Sequence, residues 1–117
     1  MQLISKYTFL YRDKEIIYDF NVGDGWLPLI DTLSSILESE IKHMPEDIRD
    51  LFYCSQVKEK FGTLRFYTTH STPFFDGVIS MAESMSALIC EECGLPGSLR
   101  NGSWIKTKCD SCYAKVK

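Results

Sequence analysis

The sequence predicts an α+β fold: a small antiparallel sheet, made of a hairpin plus a third strand, packed with two helices and followed by a carboxy-terminal module built on four cysteines. Three observations carry this expectation. Apolar residues alternate near the amino terminus and again around Leu64; they recur every three or four residues over two longer stretches; and two Cys-x-x-Cys pairs close the chain. Residues 1–89 form the expected body and 90–117 the module. No Gly/Ser linker separates them, so the module is expected to be rigidly attached.

The elements follow in order. Tyr7, Phe9 and Tyr11 share one parity and Ile16, Tyr18, Phe20 and Val22 another, with Arg12-Asp13-Lys14 between them, which reads as a hairpin with one buried face. After the turn cluster Asn21 to Gly25, the residues Leu27, Ile30, Leu33, Leu37, Ile41 and Met44 have helical spacing. Asp24 is the candidate N-cap, Pro28 fits the first turn, and Pro45 lies just past the end. Residues 46–52 suit a short helical turn. In Gln56 to Thr69 the latter half alternates and supplies the third strand. Thr72 and Pro73 then start a helix whose stripe is Phe74, Val78, Met81, Ala82, Met85 and Leu88, running into Cys90.

At 117 residues with 44% apolar and 13% aromatic content, the chain can bury one core, which excludes intrinsic disorder. No window approaches the roughly 18 uncharged apolar residues of a membrane span. Lys6 and Arg12 interrupt the start before a secretory apolar region forms. The expectation is a soluble, unexported chain working in the cytoplasm, with no membrane partner. There its five cysteines are reduced, and metal ligation accounts for their spacing better than disulfides. Cys54, remote from the others in an apolar neighbourhood, reads as a small buried residue before a reactive thiol.

Cys90, Cys93, Cys109 and Cys112 have the spacing C-x₂-C-x₁₅-C-x₂-C, within the range of zinc sites. Two-residue gaps let a tight knuckle aim both sulfurs of a pair at one tetrahedral ion. Gly94 can supply the positive φ that such a knuckle requires, and Pro96-Gly97 and Asn101-Gly102 mark a hairpin between the pairs. With the last residues helical this is a treble-clef-like module; a zinc ribbon also fits. A redox dithiol or an iron centre competes less well, because redox Cys-x-x-Cys motifs come singly. The expected cofactor is one structural Zn²⁺. Four cysteines leave no position for water, so the site adds folding free energy, on the order of 10–16 kcal/mol in zinc peptides, rather than catalysis.

Other groups offer less chemistry. A zinc-supported nuclease needs a histidine base and further ligands near the metal; His43 and His70 fall at element ends, away from the cysteines. Asp76 and Glu83 share a helix face without a partner set and read as a solvated face. No catalytic constellation emerges, and the chain is expected not to be an enzyme. Residues 1–89 hold eight Lys/Arg against thirteen Asp/Glu, and 90–117 hold five against three. Four thiolates and one divalent ion erase the excess in the tail, which argues against a nonspecific nucleic-acid clamp. The candidate binding surface is Lys58, Lys60, Arg65 and Tyr67 on the strand, with Arg100, Trp104, Lys106 and Lys108 in the module. Trp26 and Trp104 are packing residues first, although a tryptophan exposed beside the metal would anchor a partner.

Several strings together resemble a group of small phage and prophage proteins of uncharacterised function. They are Gly23-Asp24-Gly25-Trp26 with the Ile30-Asp31-Thr32-Leu33 that follows, Gln56-Val57-Lys58-Glu59-Lys60-Phe61-Gly62-Thr63-Leu64-Arg65-Phe66-Tyr67, Met81-Ala82-Glu83-Ser84-Met85-Ser86, Cys90-Glu91-Glu92-Cys93-Gly94-Leu95-Pro96-Gly97 and Trp104-Ile105-Lys106-Thr107. In some members a histidine stands near the last cysteine; here Cys112 takes that ligand place. The resemblance implies a phage origin and a bacterial host cytoplasm, and no reaction. By analogy with small phage proteins it implies binding to a host protein, as an anti-defence inhibitor or an inhibitor of a housekeeping protein. Nucleic-acid binding and a nucleotide sponge are the alternatives, and homo-oligomerisation stays open.

Overall fold

The computed structural model describes residues 2–115. Its architecture is α+β, with a three-stranded sheet covered on one face by helices and a small cysteine module at the carboxy-terminal end.

The amino-terminal hairpin does not form. Gln2–Lys6 is a short helix (α1), Lys14–Asp19 is a 3-10 helix capped by the Asp13 carboxylate on Glu15 N–H, and only Phe20–Asn21 (β1) is extended. Alternation here reflects single side chains finding separate pockets. The N–H groups of Phe9 and Leu10 donate to the Glu38 carboxylate at 3.3 and 2.8 Å, and the Leu10 carbonyl accepts from Cys54 N–H at 2.7 Å. These backbone groups are satisfied by a buried helix side chain and a distant strand, which removes the need for a ladder. Ile16 and Phe20 are buried while Ile17 and Tyr18 are exposed, a helical rather than a strand period.

Leu27–Lys42 (α2) buries Ile30, Leu33, Leu37 and Ile41, as its periodicity predicts, with Pro28 in the first turn. Asp24 is not its cap: it lies in a 3-10 turn, Asp24–Trp26, and the cap position falls to Trp26, whose side chain makes no cap bond. Glu46–Arg49 (α3) is the short turn expected after Pro45.

The stretch expected to hold one strand holds two. Cys54–Lys60 (β2) and Thr63–Thr68 (β3) are antiparallel, while β1 pairs with β2 in parallel, Phe20 opposite Val57, so the sheet is mixed with order β1-β2-β3. Two features hide β2 in the sequence: its charged Lys-Glu-Lys end, and a register irregularity between Cys54 and Gln56 that breaks the alternation. Phe61 and Gly62 join the strands with φ of 53° and 85°, the doubly left-handed pair of a two-residue hairpin turn.

Pro73–Ser86 (α4) starts as expected, with Thr72 Oγ1 accepting from Phe75 N–H at 3.1 Å. Its phase differs from the expected stripe. Phe75, Ile79, Ala82 and Ser86 face the core, whereas Phe74, Met81, Met85 and Leu88 are exposed. Apolar residues cover half the helix circumference, and periodicity alone does not select which part is buried. The helix also stops at Ser86, three residues short of Cys90. It guards the sheet: Leu64 N–H donates to Ser86 Oγ at 2.8 Å, and Phe66 N–H to the Glu83 carboxylate at 3.0 Å. Glu83 is thus a structural acceptor, not part of a solvated face. Among the described residues no helix is long and apolar enough to cross a membrane.

Candidate metal centre

The carboxy-terminal segment folds as a knuckle, a hairpin and a helix. Cys90 to Gly94 form the knuckle, with Gly94 N–H bonded to the Cys90 carbonyl at 2.9 Å and Gly94 at φ 85°. Ser98–Arg100 (β4) pairs antiparallel with Lys106–Lys108 (β5), and Asp110–Lys115 (α5) carries Cys112 in its first turn. This order is that of a treble clef, not a ribbon.

The four Sγ atoms lie within 4.8 Å of one another, and Cys93 and Cys109 are 3.6 Å apart. Tetrahedral metal–thiolate bonds of about 2.3 Å place sulfurs about 3.8 Å apart, so the side chains fit one ion. The four cysteines are a potential metal site. Cys90, Cys109 and Cys112 are buried and Cys93 is exposed. Burial opposes ionisation of Cys90, but hydrogen bonds from backbone N–H groups of Cys109, Cys93 and Glu92 outweigh it and bring the thiol down to about 6. The Cys112 N–H, 3.4 Å from Cys109 Sγ, likewise lowers that thiol. Cys112 moves upward, through its hydrogen bond with Glu92, burial and the neighbouring sulfurs. Four thiolates could not share this space alone, and a divalent cation held by them would supply the balance.

The strings that looked like turn signals hold this centre against the body. Gly25 N–H donates to the Glu91 carbonyl at 2.7 Å, Gly23 N–H to the Glu91 carboxylate at 2.9 Å, and Trp26 Nε1 to the Ile89 carbonyl at 2.9 Å. A Cβ on Gly25 would collide with the Cys90 carbonyl and Gly94 N, so only glycine permits this approach. Trp26 is fully buried, a core residue as expected. The β2–β3 turn makes the second contact. Thr107 Oγ1 donates to the Gly62 carbonyl at 2.6 Å, and the Glu59 carboxylate accepts from Gly62 N–H at 2.7 Å and Lys106 Nζ at 2.8 Å. Sequence reasoning missed both roles, because close backbone approach leaves only a glycine as its trace.

The candidate surface residues divide. Lys106 pairs with Glu59, Lys108 lies 3.8 Å from Glu92, and Arg100 binds Asp110 at 2.7 Å and the Lys108 carbonyl while lying over the Tyr113 ring. These three cations are neutralised locally. Lys58, Lys60, Arg65 and Tyr67 lie on the sheet hairpin, with Lys58 opposite Arg65. Trp104, 78% exposed at the tip of the β4–β5 hairpin, borders with Phe61 a cavity of about 490 Å³. Elsewhere, Cys54 is buried and its thiol is pushed up by desolvation, an inert packing group. His43 Nδ1 bonds the Ser39 carbonyl, and His70 Nδ1 the Leu51 carbonyl; neither approaches the cysteines.

Fold and site together define an α+β protein with a four-cysteine, treble-clef-like metal module. Comparisons with protein families, with curated proteins and with solved structures find no match.

Proposed function

We propose that this is a zinc-stabilised, non-catalytic binding protein of phage origin, acting in the host cytoplasm on a host protein or defence factor. One observation carries the reading: four converging sulfurs would fill every position of a tetrahedral ion, and the knuckle that bears two of them is bonded into the body through Gly23, Gly25 and Trp26. An all-sulfur tetrahedral donor set suits zinc or iron. Zinc is favoured because it has no redox chemistry to protect, and because it holds short knuckle modules folded. A filled coordination sphere activates no water, so the protein acts through its surface. Phage origin rests on the sequence resemblance, and the host partner on analogy with small phage proteins. Trp104, large and largely exposed in the module's hairpin loop, is the candidate anchor for that partner.

The test combines metal content with partner capture. Reduced protein should carry one zinc per chain, without the visible absorption of an iron–thiolate centre. A host protein retained from lysate should be lost with Trp104→Ala while zinc content and melting temperature stay unchanged. Nucleotide or nucleic-acid turnover abolished by a single polar substitution would overturn the reading.

A further inference from the structure

The sheet face turned away from the core holds a cluster of cations that the fold leaves without carboxylate partners. In the β2–β3 register Gln56 faces Tyr67, Lys58 faces Arg65 and Lys60 faces Thr63, so these side chains share the face opposite buried Val57, Leu64 and Phe66. Like charges directly opposite on neighbouring strands repel. Yet among the described residues no ion pair joins Lys58, Lys60 or Arg65 to a carboxylate. Asp19, just before β1, forms none with them either. This stands out in a chain of net charge −3, where most other described cations are paired.

Two further observations concern the same face. Arg65 Nε is buried and lacks a hydrogen-bond acceptor, as Arg49 Nε does, and no carboxylate neutralises the Arg65 guanidinium. Phe61, at the end of the hairpin, holds φ 53°, a region that costs a bulky L-residue on the order of 1 kcal/mol and that asparagine or glycine would occupy more easily. Its ring is 65% exposed and lies 5.6 Å from Lys60 Nζ; at the other end Tyr67 is 42% exposed and 6.0 Å from Lys58 Nζ. Strain at an exposed aromatic marks a side chain presented for contact.

We infer that this face binds single-stranded nucleic acid, with Lys58, Lys60 and Arg65 on successive backbone phosphates and the rings of Tyr67 and Phe61 stacking on bases. A sheet surface with cations between exposed aromatics suits an extended strand, whereas a mononucleotide favours an enclosed pocket. The inference goes beyond host-protein binding: it adds a second surface, which meets the Trp104 cavity only at Phe61.

Fluorescence anisotropy of a labelled oligo-dT or oligo-rU strand, titrated with zinc-loaded protein, tests it. Three phosphate contacts on a single strand give a slope of log K against log salt of about −2, so affinity should fall roughly 20-fold between about 50 and 200 mM salt. Lys58→Gln and Arg65→Gln should each weaken binding several-fold and flatten the slope by about 0.7, whereas Tyr67→Leu should weaken binding and leave the slope unchanged. Arg65→Lys keeps the charge and should retain most of the slope. Phe61→Asn should raise the melting temperature while lowering affinity, which separates a presented ring from a structural one. Absence of an anisotropy change at low salt, equal or tighter binding of duplex, or full competition by inorganic phosphate or ATP at sub-millimolar concentration would each overturn the assignment. Lys58→Gln and Tyr67→Leu, remote from that cavity, should leave host-protein capture unchanged, so failure here is distinguishable from failure of host-protein capture.

Discussion

The hydroxyl of Thr107 donates to the carbonyl of Gly62 across 2.6 Å, joining two residues 45 apart in sequence and fixing the module's hairpin to the turn of the body's hairpin. Thr107 is fully buried, so its hydroxyl has no water to fall back on. Thr107→Val keeps the shape and orphans the carbonyl. It should cost about 1–2 kcal/mol in urea denaturation of the metal-loaded protein, whereas Thr107→Ser should cost less.

Gly25→Ala tests the other contact. The added methyl meets the Cys90 carbonyl, Gly94 N and the Glu91 carbonyl carbon, all backbone and unable to step aside. The variant should lose at least ~3 kcal/mol and release its metal faster to a chelator. Gly77→Ala, where a Cβ meets nothing within 4 Å, should be stabilising or neutral.

Phe74 and Phe75 are sequence neighbours with opposite fates. Phe75 is fully buried and packs edge-on against Phe52, with centroids 5.5 Å apart; Phe74 is 46% exposed. Phe75→Ala should cost about 3–5 kcal/mol and Phe74→Ala only about 0.5 kcal/mol, read from denaturation midpoints. Equal costs would mean that α4 is rotated from the orientation described.

Asp31 gives the protein an acid-sensitive tie. The Tyr7 hydroxyl donates to its carboxylate, and Lys6 Nζ lies 3.1 Å away; these hydrogen bonds hold it below the ordinary value of 3.8. A depressed folded-state value means that the stabilisation is full above the unfolded value and is lost as pH falls through the folded one. Wild type should therefore exceed Asp31→Asn in stability at neutral pH by a constant margin that closes only below about pH 4. A margin that closes near pH 6 would assign the tie to another group.

Legibility in the sequence followed the range of each interaction. The cysteines and the α2 stripe were readable because ligand spacing and helical period are local properties. Thr72 and Pro73 announced α4 for the same reason. The hairpin expected from Tyr7, Phe9 and Tyr11 failed because the competing partner, Glu38, is nearly thirty residues away and no local pattern announces it. Which half of α4 is buried depends on where the sheet edge and α2 lie. Gly23 and Gly25 read as a turn, since their second property, room for the Cys90 knuckle, exists only once the chain is folded. The sheet cations were named from sequence, but their lack of counter-charges became visible only when Glu59 turned to the other face and took Lys106.

Because the amides of Leu64 and Phe66 are already engaged by helix side chains, the outer edge of β3 offers a passing strand few donors to grip. The opposite edge, β1, is two residues long, too short to template another chain. This sheet should therefore resist fibre growth and strand exchange even when many copies are made quickly in a crowded cell.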